Sequence, residues 1–241
     1  MDTLQWHSSA HSDVGRVRKI NEDAYLDSGG IGLWVVADGM GGHAAGDLAS
    51  GSIVAALADV AAPDSLSHLV DTVEERLINV NRALRDEAAR REGQMIGSTV
   101  VALLAWRRHC ICLWAGDSRV YRLRAGRFEQ LTRDHSQVEE MIEQGELRRE
   151  EAASHPAANV ITRAVGADDE LFLDLALYDL QADDRFLLCS DGLYKEVADE
   201  EFAIHLATHD VEPASQALLN LALERGARDN VTVIVVQVSA G

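Results

Sequence analysis

The sequence predicts an α+β fold in which the strands form antiparallel sheets and the helices pack outside them. Short apolar runs rich in β-branched residues recur along the 241 residues, which is typical of buried strands. Several of these runs are separated only by a tight turn, which favours antiparallel pairing over an alternation of parallel strands and helices. Segments with apolar residues at helical spacing lie before and after the central strands.

The predicted strands lie mainly in the middle and at the end of the chain. Residues 119–124 and 127–131 flank Ala125 and Gly126, a pair typical of a β-hairpin turn. The run at 33–37 is uniformly apolar, as expected for a strand buried on both faces. The predicted strands are 33–37, 98–106, 110–115, 119–124, 127–131, 171–177, 185–189 and 231–238.

Two long helices are predicted before the central strands, and two more near the end of the chain. The second early helix is the clearer, because apolar residues recur at helical spacing from Leu66 to Leu84 and Gly93 follows its end. The late helices are expected at 200–207 and 213–225, and Gly226 ends the second.

The segment from His135 to Gly166 is predicted to be an insertion beside the sheets. It is expected to be mostly helical, with breaks at Gly145 and at Pro156. No shift in composition divides the chain into parts, so we expect a single domain over residues 1–241.

The composition excludes several classes of protein. With 40 acidic against 22 basic residues the net charge is −18, which argues against binding to nucleic acid or to an anionic membrane surface. No apolar stretch is long enough to span a membrane, and the amino terminus lacks the pattern of a secretion signal, so we expect a cytoplasmic protein. Cys110, Cys112 and Cys189 lie in apolar runs and are expected to be buried thiols.

Acidic residues recur at the ends of the predicted strands. An aspartate follows an apolar strand in "VVADG" and in "LLCSDG", comes after a glycine in "WAGDSR", and precedes a strand in "RDNVTV". The run "NEDA" adds an acidic pair near the amino terminus. A single aspartate at a strand end is usually a turn residue. The acids in question are Glu22, Asp23, Asp38, Asp117, Asp191 and Asp229.

If the sheets bring these strand ends together, several carboxylates share one cleft. Like charges at short range raise one another's pKa unless cations neutralise them. An all-oxygen set of ligands suits Mg²⁺ or Mn²⁺, and no run rich in His or Cys favours zinc. The glycines after Asp38 would let the backbone approach an ion closely. A metal centre built on acids is therefore one hypothesis, and a set of ordinary turn residues is the other.

The glycine-rich loop at 39–44 offers a different explanation, because it matches the G-x-G-x-x-[GA] pattern of dinucleotide-binding folds and Asp59 lies about 20 residues on. The interval to Asp59 must then hold a helix and a second strand, and the alanine-rich stretch present is too short for both. The P-loop pattern G-x-x-x-x-G-K-[ST] does not occur in the sequence. Nucleotide binding is therefore disfavoured.

A series of motifs resembles the metal-dependent protein phosphatases of type 2C, the PPM family, and its stand-alone bacterial branch most closely. The motifs stand in the family's order: "SDVGRVRKINEDA", "VVADGMGGHAAG", "IGSTVVALL", "LWAGDSRVYRL", "LTRDHS", "NVITRAVG", "LLCSDGL" and "ARDNVTVIVV". The resemblance implies a four-layer αββα sandwich with two central antiparallel sheets, and a mobile flap at about residues 134–166. It also implies hydrolysis of phosphoserine and phosphothreonine in proteins through a metal-activated water.

The resemblance further implies two tightly bound Mg²⁺ or Mn²⁺ ions and a third, weaker site. Asp38 would bridge the two tightly bound ions, and the carbonyl of Gly39 would bind one of them. Asp191 and Asp229 would complete the coordination of the other. Glu22 would hold a metal-bound water with Asp23 beside it. Asp117 matches the acid that helps to bind the third ion.

Two further residues are candidates for roles in catalysis. Arg18 matches the arginine that binds the substrate phosphate, and its planar, permanently charged guanidinium suits that task. Animal relatives carry a histidine, as a proposed general acid, where this chain has Met40. The nearest histidine here is His43, which we name as the candidate acid.

Two alternatives to a protein phosphatase remain open from the sequence. The chain could be a metal-binding regulatory module on the same fold, or a hydrolase of small phosphate esters. For a phosphatase, the expected partners are phosphorylated proteins and, by analogy with bacterial relatives, a Ser/Thr kinase with opposing activity. We expect a monomer.

Overall fold

The computed structural model of the protein describes residues 4–41, 45–91 and 94–241, and these form two antiparallel sheets. Sheet I has the order β2 (Asp23–Ser28), β3 (Leu33–Met40), β5 (Val100–Trp106), β6 (His109–Ala115) and β9 (Asp174–Asp179), and the short β4 (Gly97–Ser98) pairs with the end of β3. Sheet II has the order β1 (Leu4–Asp13), β11 (Val231–Ala240), β10 (Arg185–Cys189), β7 (Arg119–Arg124) and β8 (Arg127–Gln130).

Helices cover the outer face of each sheet. Apolar side chains of α1 (Ala45–Leu57) and α2 (Leu66–Arg90) pack on sheet I. The helices α5 (Asp191–Tyr194), α6 (Asp199–Thr208) and α7 (Val211–Glu224) pack on sheet II. A third apolar cluster fills the space between the two sheets. The predicted four-layer αββα sandwich is confirmed.

The alternation of side chains along β3 shows how the layers position the candidate site. Leu33 and Val35 pack with α1 and α2, whereas Trp34 and Val36 point between the sheets. By the same period of two, Asp38 at the end of the strand belongs to the face between the sheets. The apolar strand therefore delivers a carboxylate to one end of the inner core.

The predicted strands are found with small shifts, and two strands were missed. Thr99 interrupts the strand predicted at 98–106, and β9 begins and ends a few residues later than predicted. The strands β1 and β2 were not predicted, because their sequences are too polar to show a clear apolar pattern. The strand β1 pairs with β11 along its whole length, so the long apolar partner supplies what its own sequence lacks.

The segment at 134–166 contains two short helices, α3 (Gln137–Glu143) and α4 (Arg149–Ala152), and otherwise turns. Its helix content is lower than the sequence predicted. At its start the N–H of His135 donates a hydrogen bond of 2.9 Å to the carbonyl of Gly116, and at its end Val165 forms a backbone bridge with Ser98; a bridge between Ser136 and Ile161 joins its two parts. The segment thus begins and ends against the body of the fold, and its backbone lies beside the end of β3.

Three predictions about other features can be compared with the fold. Cys110, Cys112 and Cys189 are free and buried, as expected. Among the described residues, no helix combines the length and the apolar character needed to cross a membrane. Gly93, which was predicted to follow the end of α2, lies outside the described residues.

Candidate active site

Acids from both sheets meet at one end of the sandwich, in an open cleft of about 540 Å³. Asp38 at the end of β3 is paired in register with Asp23 of β2. Asp191 begins α5 directly after β10, and Asp229 lies just before β11. The cleft is lined by charged, polar and apolar side chains and by backbone, and its charged members are Arg18, Glu22, Asp38, Asp191, Lys195 and Asp229.

The carboxylate of Asp38 lies where the negative charges are most concentrated. Its pKa is raised well above the usual value, first by desolvation and then by the charges of Asp23, Asp191, Asp117 and Asp229. Desolvation dominates although the side chain keeps partial exposure to the cleft. A carboxylate in this position is costly when ionised, unless a cation compensates it.

Asp23 lies buried behind Asp38 and links the two sheets. Its Oδ2 accepts hydrogen bonds of 2.7 Å from the hydroxyl of Ser190 and of 2.7 Å from that of Thr232. Its Oδ1 is buried and has no hydrogen-bond partner. Burial raises the pKa of Asp23 to about 7, the two hydrogen bonds oppose that rise, and the charges of Asp191 and Asp229 add to it. Sequence reasoning placed Asp23 only as a neighbour of Glu22.

Glycine is required where the loop after Asp38 meets the residues before β2. A Cβ on Gly39 would lie 2.0 Å from the carbonyl oxygen of Gly46 and 2.7 Å from that of Glu22. A Cβ on Gly46 would lie 2.4 Å from Oε1 of Glu22. No side chain fits at either position. Sequence reasoning identified Gly39 and missed Gly46, for which the only signal was the last glycine of the run "GMGGHAAG".

Asn230 was also missed, although it holds the amino-terminal part of the cleft in place. Its Oδ1 accepts a hydrogen bond of 2.8 Å from the backbone N–H of Glu22. Its Nδ2 donates to the carbonyls of Val14 at 2.9 Å and Ile20 at 3.0 Å. The segment that carries Arg18 and Glu22 is therefore fixed to the start of β11. The asparagine after Asp229 in "ARDNV" was the available signal.

Arg18 stands at the mouth of the cleft, where its side chain is half exposed. Its guanidinium donates a hydrogen bond of 2.7 Å to Oδ2 of Asp229. That bond is the largest cause of the raised pKa of Arg18, and the charges of Glu22 and Asp38 contribute as well. The predicted arginine is thus beside the predicted acids.

Asp117 lies behind the cleft, is buried and does not line it. Burial and the charge of Asp191 raise its pKa to about 7. Its Oδ1 has no partner, and its Oδ2 accepts a hydrogen bond of 3.3 Å from the hydroxyl of Tyr194. The guanidinium of Arg119 lies 3.6 Å from the centre of the Tyr194 ring and binds the carboxylate of Asp134, so Asp117 is connected to the start of the 134–166 segment.

Lys195 is a second cation in the cleft that sequence reasoning missed. It lies one helical turn after Asp191, and its ammonium group pairs with Oδ2 of that acid. The same group donates a hydrogen bond of 2.8 Å to Oδ1 of Asn159 in the 134–166 segment. Only the fold brings Asn159 to it, so no sequence pattern pointed to this contact.

The donors of the cleft can be compared with the needs of a divalent cation. Within the described ranges, no three acidic, histidine or cysteine side chains already surround a common point, and Arg18 and Lys195 contact two of the acids. Buried carboxylate oxygens of Asp23, Asp117 and Asp191 nevertheless have no hydrogen-bond partner. The set is all oxygen and strongly acidic, so it fits Mg²⁺ or Mn²⁺ in chemistry. His43 lies outside the described residues.

Comparison with known proteins agrees with this arrangement. The family model for protein phosphatase 2C matches residues 12–230. The chain belongs to this family. Over 237 residues this 2C-family chain is 37% identical to the serine/threonine protein phosphatase PstP of Mycobacterium tuberculosis, an alignment that covers 98% of the chain and 46% of PstP. The chain thus spans about half the length of that curated relative.

Solved structures show the same fold for this 2C-family member. PppA, a key regulatory component of T6SS in Pseudomonas aeruginosa, has a TM-score of 0.91 at 46% identity, covering 97% of this chain and 98% of PppA. The catalytic domain of PstP, in complex with 2 manganese ions, has a TM-score of 0.86 at 36% identity, covering 98% of this chain and 100% of that domain.

Proposed function

We propose that this 2C-family chain is a metal-dependent protein phosphatase that hydrolyses phosphoserine and phosphothreonine in proteins. The observation that carries the proposal is the meeting of Asp38, Asp191 and Asp229 in one open cleft, with Arg18 at its mouth. Burial and neighbouring acids raise the pKa of Asp38, so divalent cations would keep its carboxylate ionised and would reverse the local field so that a phosphate can approach. The activity of the relative PstP agrees with this proposal.

Asp38 is proposed to bridge two Mg²⁺ or Mn²⁺ ions, because its carboxylate lies between the other acids. Asp191 and Asp229 would complete the coordination of one ion, while Glu22 and the carbonyl of Gly39 would contribute to that of the other. When bound, the ions supply a water activated near neutral pH and offset negative charge on the phosphoryl oxygens. Asp23 keeps the two sheets together behind Asp38 through Ser190 and Thr232.

Arg18 is proposed to bind the substrate phosphate. Its planar guanidinium can form two parallel hydrogen bonds to phosphate oxygens, and its half-exposed position leaves it accessible from solvent. Asn230 holds the segment that carries Arg18 through the carbonyls of Val14 and Ile20, so that the bound phosphate is oriented relative to the acids. This role requires Arg18 to shift from Asp229 toward the substrate.

A third ion and a general acid complete the proposed site. Asp117 is proposed to help hold a third, weaker ion, since its Oδ1 has no partner and Asp191 raises its pKa. His43 is proposed as the general acid on its position in the sequence alone.

The open mouth of the cleft supports protein substrates over small phosphate esters. Arg18, Met95 and Val160 all line the cleft and all reach solvent, so an extended phosphopeptide has access from outside. A substrate of this kind is produced by a Ser/Thr kinase, and we propose such a kinase as the opposing enzyme. We further propose that the chain acts as a monomer in a single domain.

Release of phosphate from a phosphothreonine peptide, with Mn²⁺ or with a chelator, tests the proposal. We expect hydrolysis with Mn²⁺ and none with the chelator. Hydrolysis of p-nitrophenyl phosphate but of no phosphopeptide would indicate a small-ester hydrolase. Binding of Mn²⁺ without any hydrolysis would indicate a regulatory module.

A further inference from the structure

The charged cleft has an apolar rim that the proposed chemistry does not use. Among the described residues, ten large hydrophobic side chains are exposed, and two of them, Met95 and Val160, line this cleft. Met95 is 61% exposed and Val160 is 45% exposed. Isolated exposed apolar residues are common on protein surfaces, but two beside one acidic cleft need a specific explanation.

Further apolar side chains stand beside the phosphate-binding arginine. Val17 precedes Arg18 directly and Ile20 follows it by two residues, and both are exposed. Of the ten exposed large hydrophobic residues in the described ranges, Met95 and Val160 therefore line the cleft, Val17 is next in sequence to a lining residue, and Ile20 is two positions from one.

Backbone contacts hold the segments that carry both rim residues in place. A Cβ on Gly41 would lie 2.8 Å from the carbonyl oxygen of Met95, so the Met95 segment lies against the loop after β3. The carbonyl of Val160 accepts a hydrogen bond of 2.9 Å from the N–H of Gln137, and its own N–H donates to Ala157 at 3.0 Å. Both side chains are therefore held at the cleft.

Lys195 ties the Val160 side of the rim to the acids. Its ammonium group binds Asn159, the residue before Val160, and also pairs with Asp191. Lys195 thus links the residue before Val160 to an acid of the cleft.

We infer that Met95 and Val160 form an apolar subsite that selects phosphoprotein segments with an apolar side chain next to the phosphorylated residue. The inference rests on the proposed function and adds its substrate class. The cations that line the described cleft have other partners, since Arg18 is proposed to bind the phosphate and Lys195 pairs with Asp191, so an acidic flank gains little there. Met95 and Val160 offer a peptide flank an apolar contact, because both are exposed and both line the cleft.

The test uses phosphothreonine peptides of equal length and charge that carry either Leu or Asn directly before or directly after the phosphothreonine. Burial of one apolar side chain changes affinity enough that kcat/KM should favour a Leu peptide by about ten-fold. In Met95→Ser/Val160→Ser protein this ratio should fall to within about two-fold, and each single variant should lie between. Ile204→Ser is the matched control, because Ile204 is 59% exposed on α6 and does not line the cleft.

The possible results separate the inference from the function on which it rests. If the unaltered protein hydrolyses the Leu and the Asn peptides with a kcat/KM ratio near one, the subsite is overturned and the phosphatase activity stands. A preference that persists in the double variant, or that Ile204→Ser also abolishes, overturns it as well. If none of the peptides is hydrolysed with Mn²⁺, the proposed function fails and the subsite fails with it.

Discussion

The two ends of β10 each have an aspartate nearby: both pair with a cation, Asp184 with Arg124 and Asp191 with Lys195, but only Asp184 has partners for both of its carboxylate oxygens. Asp184 directly precedes the strand and is fully buried. Arg124 donates to both of its carboxylate oxygens, at 2.6 Å from Nε, and the N–H of Gln181 donates at 2.8 Å. Asp191 follows the other end of the strand, where its Oδ1 is buried without any hydrogen-bond partner.

This contrast separates an acid that supports the fold from an acid available for function. Asp184 has its hydrogen bonds satisfied within the protein, as buried polar groups usually do. Asp191 shares its end of the sandwich with Asp23 and Asp117, each of which also has an unpartnered oxygen. Divalent cations would offset the repulsion among the ionised acids at that end. Both residues are aspartates, so their hydrogen-bond partners, rather than their residue type, distinguish the two ends of β10.

The largest effect is expected from Asp38→Asn. The change keeps the size of the side chain but removes the charge proposed to bridge two ions, so phosphopeptide turnover should fall by at least about 10³-fold. It also removes repulsion among the acids, so thermal stability with a chelator present should be equal or higher. Turnover close to that of the unaltered protein at saturating Mn²⁺ would refute the bridging role.

At the other end of β10, Arg124→Ala should leave Asp184 buried without its cation. The free energy of unfolding, measured with denaturant, should fall by about 3–5 kcal/mol. The Mn²⁺ dependence of the remaining folded enzyme should not change. Arg127→Ala is the control, since the exposed pair of Arg127 with Glu129 should contribute no more than about 1 kcal/mol. Equal losses in both variants would contradict the structural role of Asp184.

Arg18 forms an arginine–aspartate pair at the cleft end. Its removal should have the reverse effect of Arg124→Ala, because it should lower activity and leave stability nearly unchanged. Arg18→Ala should change stability little, because the pair is partly exposed. KM for a phosphopeptide should rise by about ten-fold, and a fall in kcat instead would indicate a contact made in the transition state. Lys19→Ala removes a neighbouring exposed cation as a control. Unaltered kcat and KM would show that Arg18 does not bind phosphate.

Asp117→Ala distinguishes a metal-binding acid from a turn residue. If Asp117 is a turn residue, its replacement should lower the free energy of unfolding by about 1 kcal/mol and leave catalysis unchanged. The proposed role predicts a turnover lowered by about ten-fold, a higher Mn²⁺ requirement and unimpaired stability. A melting curve and a metal titration on the same variant distinguish the two roles. A lower melting temperature with an unshifted metal dependence would show that Asp117 is a turn residue and that the enzyme uses two ions.

The smallest expected effect is the dependence of stability on pH in the presence of a chelator. The pKa of Asp23 and that of Asp117 are each raised to about 7 from 3.8, so between these values the folded protein holds protons that the unfolded chain has released. Stability should therefore fall as the pH rises through that window, which a decrease in melting temperature would show. Asp23→Asn should flatten the profile, and a flat profile for the unaltered protein would contradict the raised pKa values.

Local pattern was sufficient for much of the fold and failed where strands depend on their neighbours. The apolar runs predicted β5, β6, β7 and β10 closely, because strands buried on one or both faces show their burial in composition. The strand β1 has a polar sequence and exists because β11 pairs with it along its length. Its prediction would have required knowledge of its partner.

Gly46, Asn230 and Lys195 escaped prediction for a similar reason. Each acts through a contact with a residue distant in sequence or across a loop: Gly46 with Glu22, Asn230 with the same segment, and Lys195 with Asn159. A motif match places such residues near a site but does not reveal what they touch.

By itself, the sequence determined the fold class, the family and the acids at the strand ends, because these follow from local periodicity and the order of short motifs. The tertiary structure decided which acids share a cleft, which have partners and which side chains form the rim. The physical reason is that the charges and hydrogen bonds that set these properties come from far along the chain. Asp23 shows this, since its hydrogen-bond donors Ser190 and Thr232 lie 167 and 209 residues away.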